Sequence, residues 1–148
     1  MRLRPATPAD QPFLRELHHR AYREVVTRQF GAWDQRAQDE WFDKGMQEAA
    51  FSVVEVGEVA VGTIALKRDP DCVHLVELQI LPEHQGRGLG SALLAAECER
   101  ARSQNLPLRL RVLHENHRAR RLYERHGFVV TGTIPTHYLM EWKGDDGI

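Results

Sequence analysis

The chain has 148 residues, with 20 Lys+Arg against 21 Asp+Glu for a formal net charge of −1, and is 42% hydrophobic. That length suits one domain, residues 1–148, whose core needs neither disulfides nor a structural metal. Balanced charge argues against a nucleic-acid coat, the apolar fraction argues against disorder, and the longest mainly apolar stretch, Val59 to Leu66, falls far short of a membrane span.

Residues 2 to 4 read as a short opening strand. The first residues carry no apolar h-region, so no secretory signal is expected. Thr7-Pro8-Ala9-Asp10 reads as a helix start, and Leu14, Leu17, Ala21 and Val25 follow at helical spacing. A second helix is predicted over Asp34 to Gln47, with Trp41 and Phe42 on its buried side. Phe51 to Val56 and Val59 to Leu66 are β-branched runs joined by Gly57-Glu58, a hairpin signal. Val73 to Leu81 is a further strand. A glycine-rich turn then leads into a helix from about Ser91 to Gln104, with Leu94, Cys98 and Ala101 as its apolar stripe.

Leu108 to Leu113 alternates as a strand. Asn116 caps a helix that ends before Gly127, a natural C′ residue. Phe128 to Val130 and Tyr138 to Trp142 are the last strands. The order β-α-α-β-β-β-α-β-α-β-β predicts an α/β (α+β) domain, with about seven strands in a mixed central sheet flanked by about four helices. The strand-helix-strand unit across residues 73 to 113 is expected to be parallel and right-handed. Cys72 and Cys98 form neither a CxxC pair nor a metal-ligand spacing, so no metal site and a reducing, cytoplasmic setting are expected.

The most informative segment is Gln85-Gly86-Arg87-Gly88-Leu89-Gly90-Ser91, between a strand and a helix. Glycines let the backbone turn tightly and let a ligand come close to the amides. The helix N-terminus adds free N–H groups and partial positive charge, so the whole makes a phosphate or pyrophosphate cradle. A Walker A loop would need a Lys that is absent here. The glycine spacing is not that of a dinucleotide-binding GxGxxG turn either. Taken alone, the turn has one competing reading, a simple connection between strand and helix.

Gln85-x-x-Gly88-x-Gly90 resembles the acetyl-CoA motif of the GNAT N-acetyltransferase superfamily. Asn116, followed by Ala119-x-x-Leu122-Tyr123-x-x-x-Gly127-Phe128, resembles its second signature. The resemblance covers nearly the whole chain and is strongest from residue 73 to 130. It implies the GNAT fold and an acyltransferase, with acetyl-CoA as co-substrate. In the family, strand amides bind the pantetheine arm, and Leu78, Gln79 and Ile80 stand at the matching positions. The pyrophosphate contacts fall to Gln85 and to the loop Gly86, Arg87, Gly88, Leu89, Gly90 and Ser91. Arg87 is either a phosphate contact or a solvated loop residue. Asn116 matches a cofactor-contacting Asn and is also a helix cap. Tyr123 matches the Tyr near the cofactor sulfur. A phenol there protonates or hydrogen-bonds the leaving thiolate, and the competing reading is a packed core aromatic.

For the base that deprotonates the amine, the resemblance points to His74 or Glu77 on the strand before the loop, with a chain of waters as the alternative. Simple strand parity puts His74 with Val76 and Leu78 and sets Glu77 on the opposite face; a family β-bulge would reset that parity. The position that carries a Glu in protein N-terminal acetyltransferases holds Arg111. His137 and Tyr138, at the start of the last hairpin strand, are acceptor-site candidates.

Residues 32 to 58 hold seven acids against Arg36 and Lys44, and residues 100 to 126 hold eight Arg against Glu115 and Glu124. A basic half suits anionic CoA and an acidic half suits a cationic amine, although solvated helix faces account for the pattern equally well. The implied activity is acetyl transfer from acetyl-CoA to a primary amine of a small molecule or peptide, by direct attack in a ternary complex. The alternative is a non-catalytic acyl-CoA-binding module or sensor on the same fold. Expected partners are acetyl-CoA and the amine, with no nucleic acid and no membrane; the resemblance adds a homodimer as an assembly often seen in the family.

Overall fold

Arg4, Thr7 and Asp10 start the fold. In the computed structural model, which describes residues 1–144, the Arg4 guanidinium forks onto both oxygens of Asp10 at 2.8 Å. Asp10 in turn accepts from the Thr7 N–H at 2.8 Å. The last four residues of the expected domain, 145–148, lie outside the described residues. Strand β1 (Arg2–Pro5) therefore leads through a 3-10 turn (Pro8–Asp10) into helix α1 (Gln11–Phe30), which Gly31 stops at φ 83°. Helix α2 (Gln35–Glu48) begins where Asp34 accepts from the Ala37 N–H at 3.1 Å. There follow β2 (Ala50–Val56), β3 (Val59–Arg68), β4 (Val73–Ile80), α3 (Leu89–Gln104), β5 (Leu108–Leu113), α4 (His117–Arg125), β6 (Val129–Thr133) and β7 (His137–Trp142).

The seven strands form one sheet in the order β1-β2-β3-β4-β5-β7-β6, and only the β4–β5 pair is parallel. The larger core joins α3 and α4 to one face of the sheet through Leu94, Cys98, Tyr123, Phe128 and Met140. The other face carries a smaller cluster of Leu14, Phe42 and Val53 beneath α1 and α2. Among the described residues, no helix is long and apolar enough to cross a membrane.

Three expectations need correction. Helix α1 buries Leu14, Leu17, His18 and Val26, whereas Ala21 and Val25 are only partly covered and border a cavity. Neighbouring helical positions point about 100° apart, so Trp41 and Phe42 cannot share one face: Phe42 is buried at 7% exposure and Trp41 stands out at 40%. Helix α3 begins at Leu89, two residues before the expected Ser91, because Gly88 at φ 79° already ends the turn.

A bulge in β4 sets up the site. Ala65 pairs with Glu77 and Leu66 with Leu75, so Val76 has no partner. The extra residue flips the strand's alternation. Val73 and Leu75 enter the large core before it, and Leu78 and Ile80 meet that core after it. Glu77 consequently shares a face with His74 and Gln79, on the α1 side, and the parity that opposed Glu77 to His74 does not hold.

Candidate active site

Strands β4 and β5 are paired only at Val73–Leu108 and His74–Arg109, and separate beyond. The opened gap continues into a cavity of about 1190 Å³ between the sheet, α1 and the α3 loop. Of the residues singled out in the sequence, all but Arg87 and Tyr138 line it.

The β4 backbone has a free edge there. Leu81 N–H donates to the Val61 carbonyl at 2.8 Å. Antiparallel alternation therefore uses the Gln79 main chain in pairing with β3 and turns the polar groups of Leu78 and Ile80 toward the gap. Of the expected amide trio, Leu78 and Ile80 face the opening, and Gln79 contributes its side chain elsewhere. Gly62 permits this close strand pairing, since a Cβ there would lie 2.4 Å from the Gln79 carbonyl oxygen.

The loop after β4 takes its shape from Gly86 and Gly88, both left-handed at φ 78° and 79°. The first helical bond of α3 runs from Ala92 N–H to the Gly88 carbonyl at 3.0 Å, which leaves the amides of Leu89, Gly90 and Ser91 without a helical acceptor. Gln85 braces this loop: its Nε2 donates to the Ile80 carbonyl at 2.9 Å, and its Oε1 accepts from Arg118 on α4 at 2.6 Å. Ser91 Oγ lies 2.8 Å from His126 Nε2. Arg87 is exposed, with only a long 3.5 Å contact to His84. Asn116 caps α4, its Oδ1 accepting from the Ala119 N–H at 3.3 Å.

Glu77 sits on the cavity wall. Tyr22 Oη donates to its Oε2 at 3.3 Å, and Gln79 Nε2 donates to the same oxygen at 3.1 Å. Burial pushes the Glu77 carboxyl up to about 7, partly offset by the Tyr22 hydrogen bond. Tyr123 is buried at 8% exposure, its ring 5.7 Å from that of Phe128. Burial first, and the nearby Glu77 charge second, raise its pKa well above that of an ordinary phenol. Tyr22 is raised by the same causes, with Tyr123 adding to them. Tyr22, Glu77 and Tyr123, drawn from α1, β4 and α4, thus act on one another across the cavity.

His74 lies at the closed end of the gap. Its Nε2 is 2.8 Å from Asp69 Oδ2 and 3.4 Å from Cys72 Sγ. Donor atoms of Asp69, Cys72 and His74 all fall within 4.8 Å of one another, as a cation site would require. Arg109, the β5 partner of His74, sets a positive charge beside that cluster. At the opposite rim, His137 packs edge-on to Trp41 with ring centroids 6.0 Å apart, and Thr136 Oγ1 lies 2.6 Å from its Nδ1. Burial first, and then the charges of Arg111 and His114, lower His137 to about 4, so it is neutral at physiological pH. Tyr138 faces the other way, against His114 and beneath the Arg120 guanidinium.

Sequence reading missed Tyr22, His18 and Gln38. Tyr22 lies one turn beyond His18 on α1, their rings 5.2 Å apart, and no motif marked it. Charges of both signs line the cavity: Arg118, Arg121 and Arg125 from α4, Arg20, Glu24 and Arg28 from α1, and Lys44 and Glu48 from α2.

Residues 12–128 match the family described as "Acetyltransferase (GNAT) family". The chain is 34% identical over 152 residues to the mycothiol acetyltransferase of Acidimicrobium ferrooxidans, across 85% of this chain and 46% of that one; it thus spans about half the length of this curated relative. Its fold is similar to that of the PaiA N-acetyltransferase of Thermoplasma acidophilum in complex with coenzyme A, at a TM-score of 0.78 and 21% identity, covering 96% of this chain and 98% of that chain. It is also similar to a GNAT family acetyltransferase from Elizabethkingia anophelis with acetyl-CoA bound, at a TM-score of 0.72 and 15% identity, covering 96% and 97%. At those identities the two structures establish the fold.

Proposed function

The chain belongs to the acetyltransferase (GNAT) family, and on that premise we propose that it is a single-domain N-acetyltransferase that moves an acetyl group from acetyl-CoA to a primary amine. One observation carries the reading: a carboxyl raised to about 7, Glu77, shares the cavity wall with a raised phenol, Tyr123, beyond the end of the β4–β5 pairing. A base poised near the working pH and an acid that keeps its proton are the two groups aminolysis of a thioester needs.

The residues around the loop suit acetyl-CoA. A Cβ at Gly86 or Gly88 would meet nothing within 4 Å, so the cradle is open, and the amides of Leu89, Gly90 and Ser91 are available to a pyrophosphate. The polar backbone of Leu78 and the Ile80 N–H would hold the amides of the pantetheine arm, the Ile80 carbonyl being taken by Gln85, and Asn116 borders the same cavity. Gln85 contributes by bracing the loop. When bound, acetyl-CoA supplies an acetyl thioester, the electrophile. Glu77 takes the proton that the acceptor ammonium must lose before its nitrogen can attack. Tyr123 Oη holds its proton at neutral pH and offers it to the departing sulfur. Free Cys72 and Cys98 are in keeping with a reducing, cytoplasmic setting.

The reading is tested by incubating the protein with acetyl-CoA and a panel of amines (polyamines, aminoglycosides, amino acids, peptides), with mass spectrometry for acetylated product and thiol release for CoA. One or more amines should gain an acetyl group. Acetyl-CoA binding with no transfer to any class would favour the acyl-CoA sensor instead.

A further inference from the structure

Among the described residues, Glu77 is gripped at one oxygen only. Tyr22 Oη and Gln79 Nε2 both donate to Oε2. The same Gln79 nitrogen lies 3.1 Å from Nδ1 of His18, and His18 Nε2 lies 3.0 Å from Oε1 of Gln38. Gln38, His18 and Gln79 are buried at 7%, 4% and 4% exposure.

Valence couples the directions of these bonds, and the ionised carboxylate, which can only accept, sets them. The Gln79 amide nitrogen has two hydrogens. One goes to the carboxylate and the other to His18. Nδ1 of His18 is therefore the lone-pair nitrogen, and its Nε2 carries the hydrogen that Gln38 accepts. If Gln79 turned over, its carbonyl would face the Glu77 carboxylate with no proton between them. The His18 tautomer and the Gln38 amide would turn with it, so the meeting of two acceptors at the ionised carboxylate is what disfavours the reversed chain. Burial also lowers the His18 pKa and keeps the ring neutral, the form this chain requires.

We propose that Gln79 is a positioning residue for Glu77, that His18 and Gln38 hold its amide in place behind it, and that this clamp on Oε2 leaves Oε1 as the oxygen that receives the acceptor's proton. The inference rests on the reading of Glu77 as the base. Donation to a carboxylate favours its ionised form, so the clamp opposes the effect of burial and keeps a useful fraction of Glu77 ionised near neutral pH. The titratable groups that face Glu77 are Tyr22 from α1 and Tyr123 from α4, with His18 behind Gln79.

The test is a carbon-13 NMR titration of glutamate carboxyls in the full chain without ligands, with Glu77→Gln identifying the resonance. Gln79→Leu should raise the Glu77 midpoint by about one pH unit, a tenfold change in proton affinity. Gln38→Leu, which does not touch Glu77, should raise it in the same direction by less. With an acceptor in hand, the acidic limb of kcat/KM should move with the NMR midpoint, and the KM for acetyl-CoA should stay put. An unmoved midpoint in folded Gln79→Leu would overturn the clamp, whatever the protein's activity. If Gln79→Leu does not fold, wild-type titration in Gln38→Leu would overturn the clamp's support in its place. A shifted midpoint with an unshifted acidic limb would uphold the clamp and overturn Glu77 as the base.

Discussion

Tyr22 and Glu77, fifty-five residues apart, meet through a 3.3 Å hydrogen bond between α1 and β4. The contact ties the N-terminal helix to the strand that leads into the glycine loop. It needs the bulge at Val76, which turns Glu77 toward α1 and away from the α3 core. The carboxyl is held there at a cost in solvation, and that cost is the source of its raised pKa.

Glu77→Gln should therefore stabilise the protein at alkaline pH. The folded pKa of about 7 exceeds the ordinary 4.5. Between those values the folded chain binds more protons than the unfolded one, so this group's contribution falls as pH rises through the window. Above about pH 7 it costs about 1–3 kcal/mol, the shift discounted for solvent in the cavity. Thermal melts should show Glu77→Gln above wild type at pH 8 and the two converging near pH 4. Parallel melting curves across that range would contradict it.

Tyr123→Phe keeps the ring packed on Phe128 and removes the proton. Thermal stability and acetyl-CoA affinity should change little. The chemical step, read in single-turnover experiments, should slow by about 10²–10⁴-fold. Full-speed chemistry in this variant would return Tyr123 to a packing role.

Gly62→Val tests the strand geometry behind the site. A side chain there would meet the Gln79 carbonyl at 2.4 Å and the Ile80 side chain at 2.7 Å. Backbone cannot yield as a flexible side chain can, so the loss should be about 1–3 kcal/mol or more, read as a lower midpoint in urea. Wild-type stability would mean that β3 and β4 are less tightly apposed.

Gly88→Glu addresses the cradle. At φ 79° any side chain is strained by roughly 1–2 kcal/mol, and this one adds negative charge beside the phosphates. Calorimetry should show acetyl-CoA binding weakened by at least about tenfold, or 1.4 kcal/mol, in protein that still folds. Unchanged affinity would place the pyrophosphate elsewhere.

Local chemistry made the loop and the caps legible in the sequence. Gly86 and Gly88 are needed where the backbone turns left-handed, Asn116 caps the helix it precedes, and Thr7-Pro8-Ala9-Asp10 opens the first helical segment. The order of seven strands and four helices followed from the same signals. The bulge was not legible, because the skip at Val76 is set by pairing with β3, and β4 alone reads as a uniform strand. Tyr22, His18 and Gln38 escaped notice because their partners lie on β4 or on another helix, and helical spacing alone does not tell a core position from a cavity wall. Trp41 and Tyr138 show the same limit: apolar character predicted burial for Trp41, and position in the last hairpin strand made Tyr138 an acceptor-site candidate, without saying which face each side chain takes.

The central claim is that Glu77 takes the acceptor's proton during acetyl transfer. Single-turnover acetylation of the best amine from the panel, followed from about pH 5 to pH 9 in wild type and in Glu77→Gln, tests it most directly. Wild type should show an acidic limb near pH 7, matching the raised carboxyl. Glu77→Gln should bind acetyl-CoA with unchanged affinity, lose that limb, and run about 10²–10⁴-fold slower at neutral pH. A variant with the wild-type rate and the wild-type limb would contradict the account and assign the proton to another acceptor.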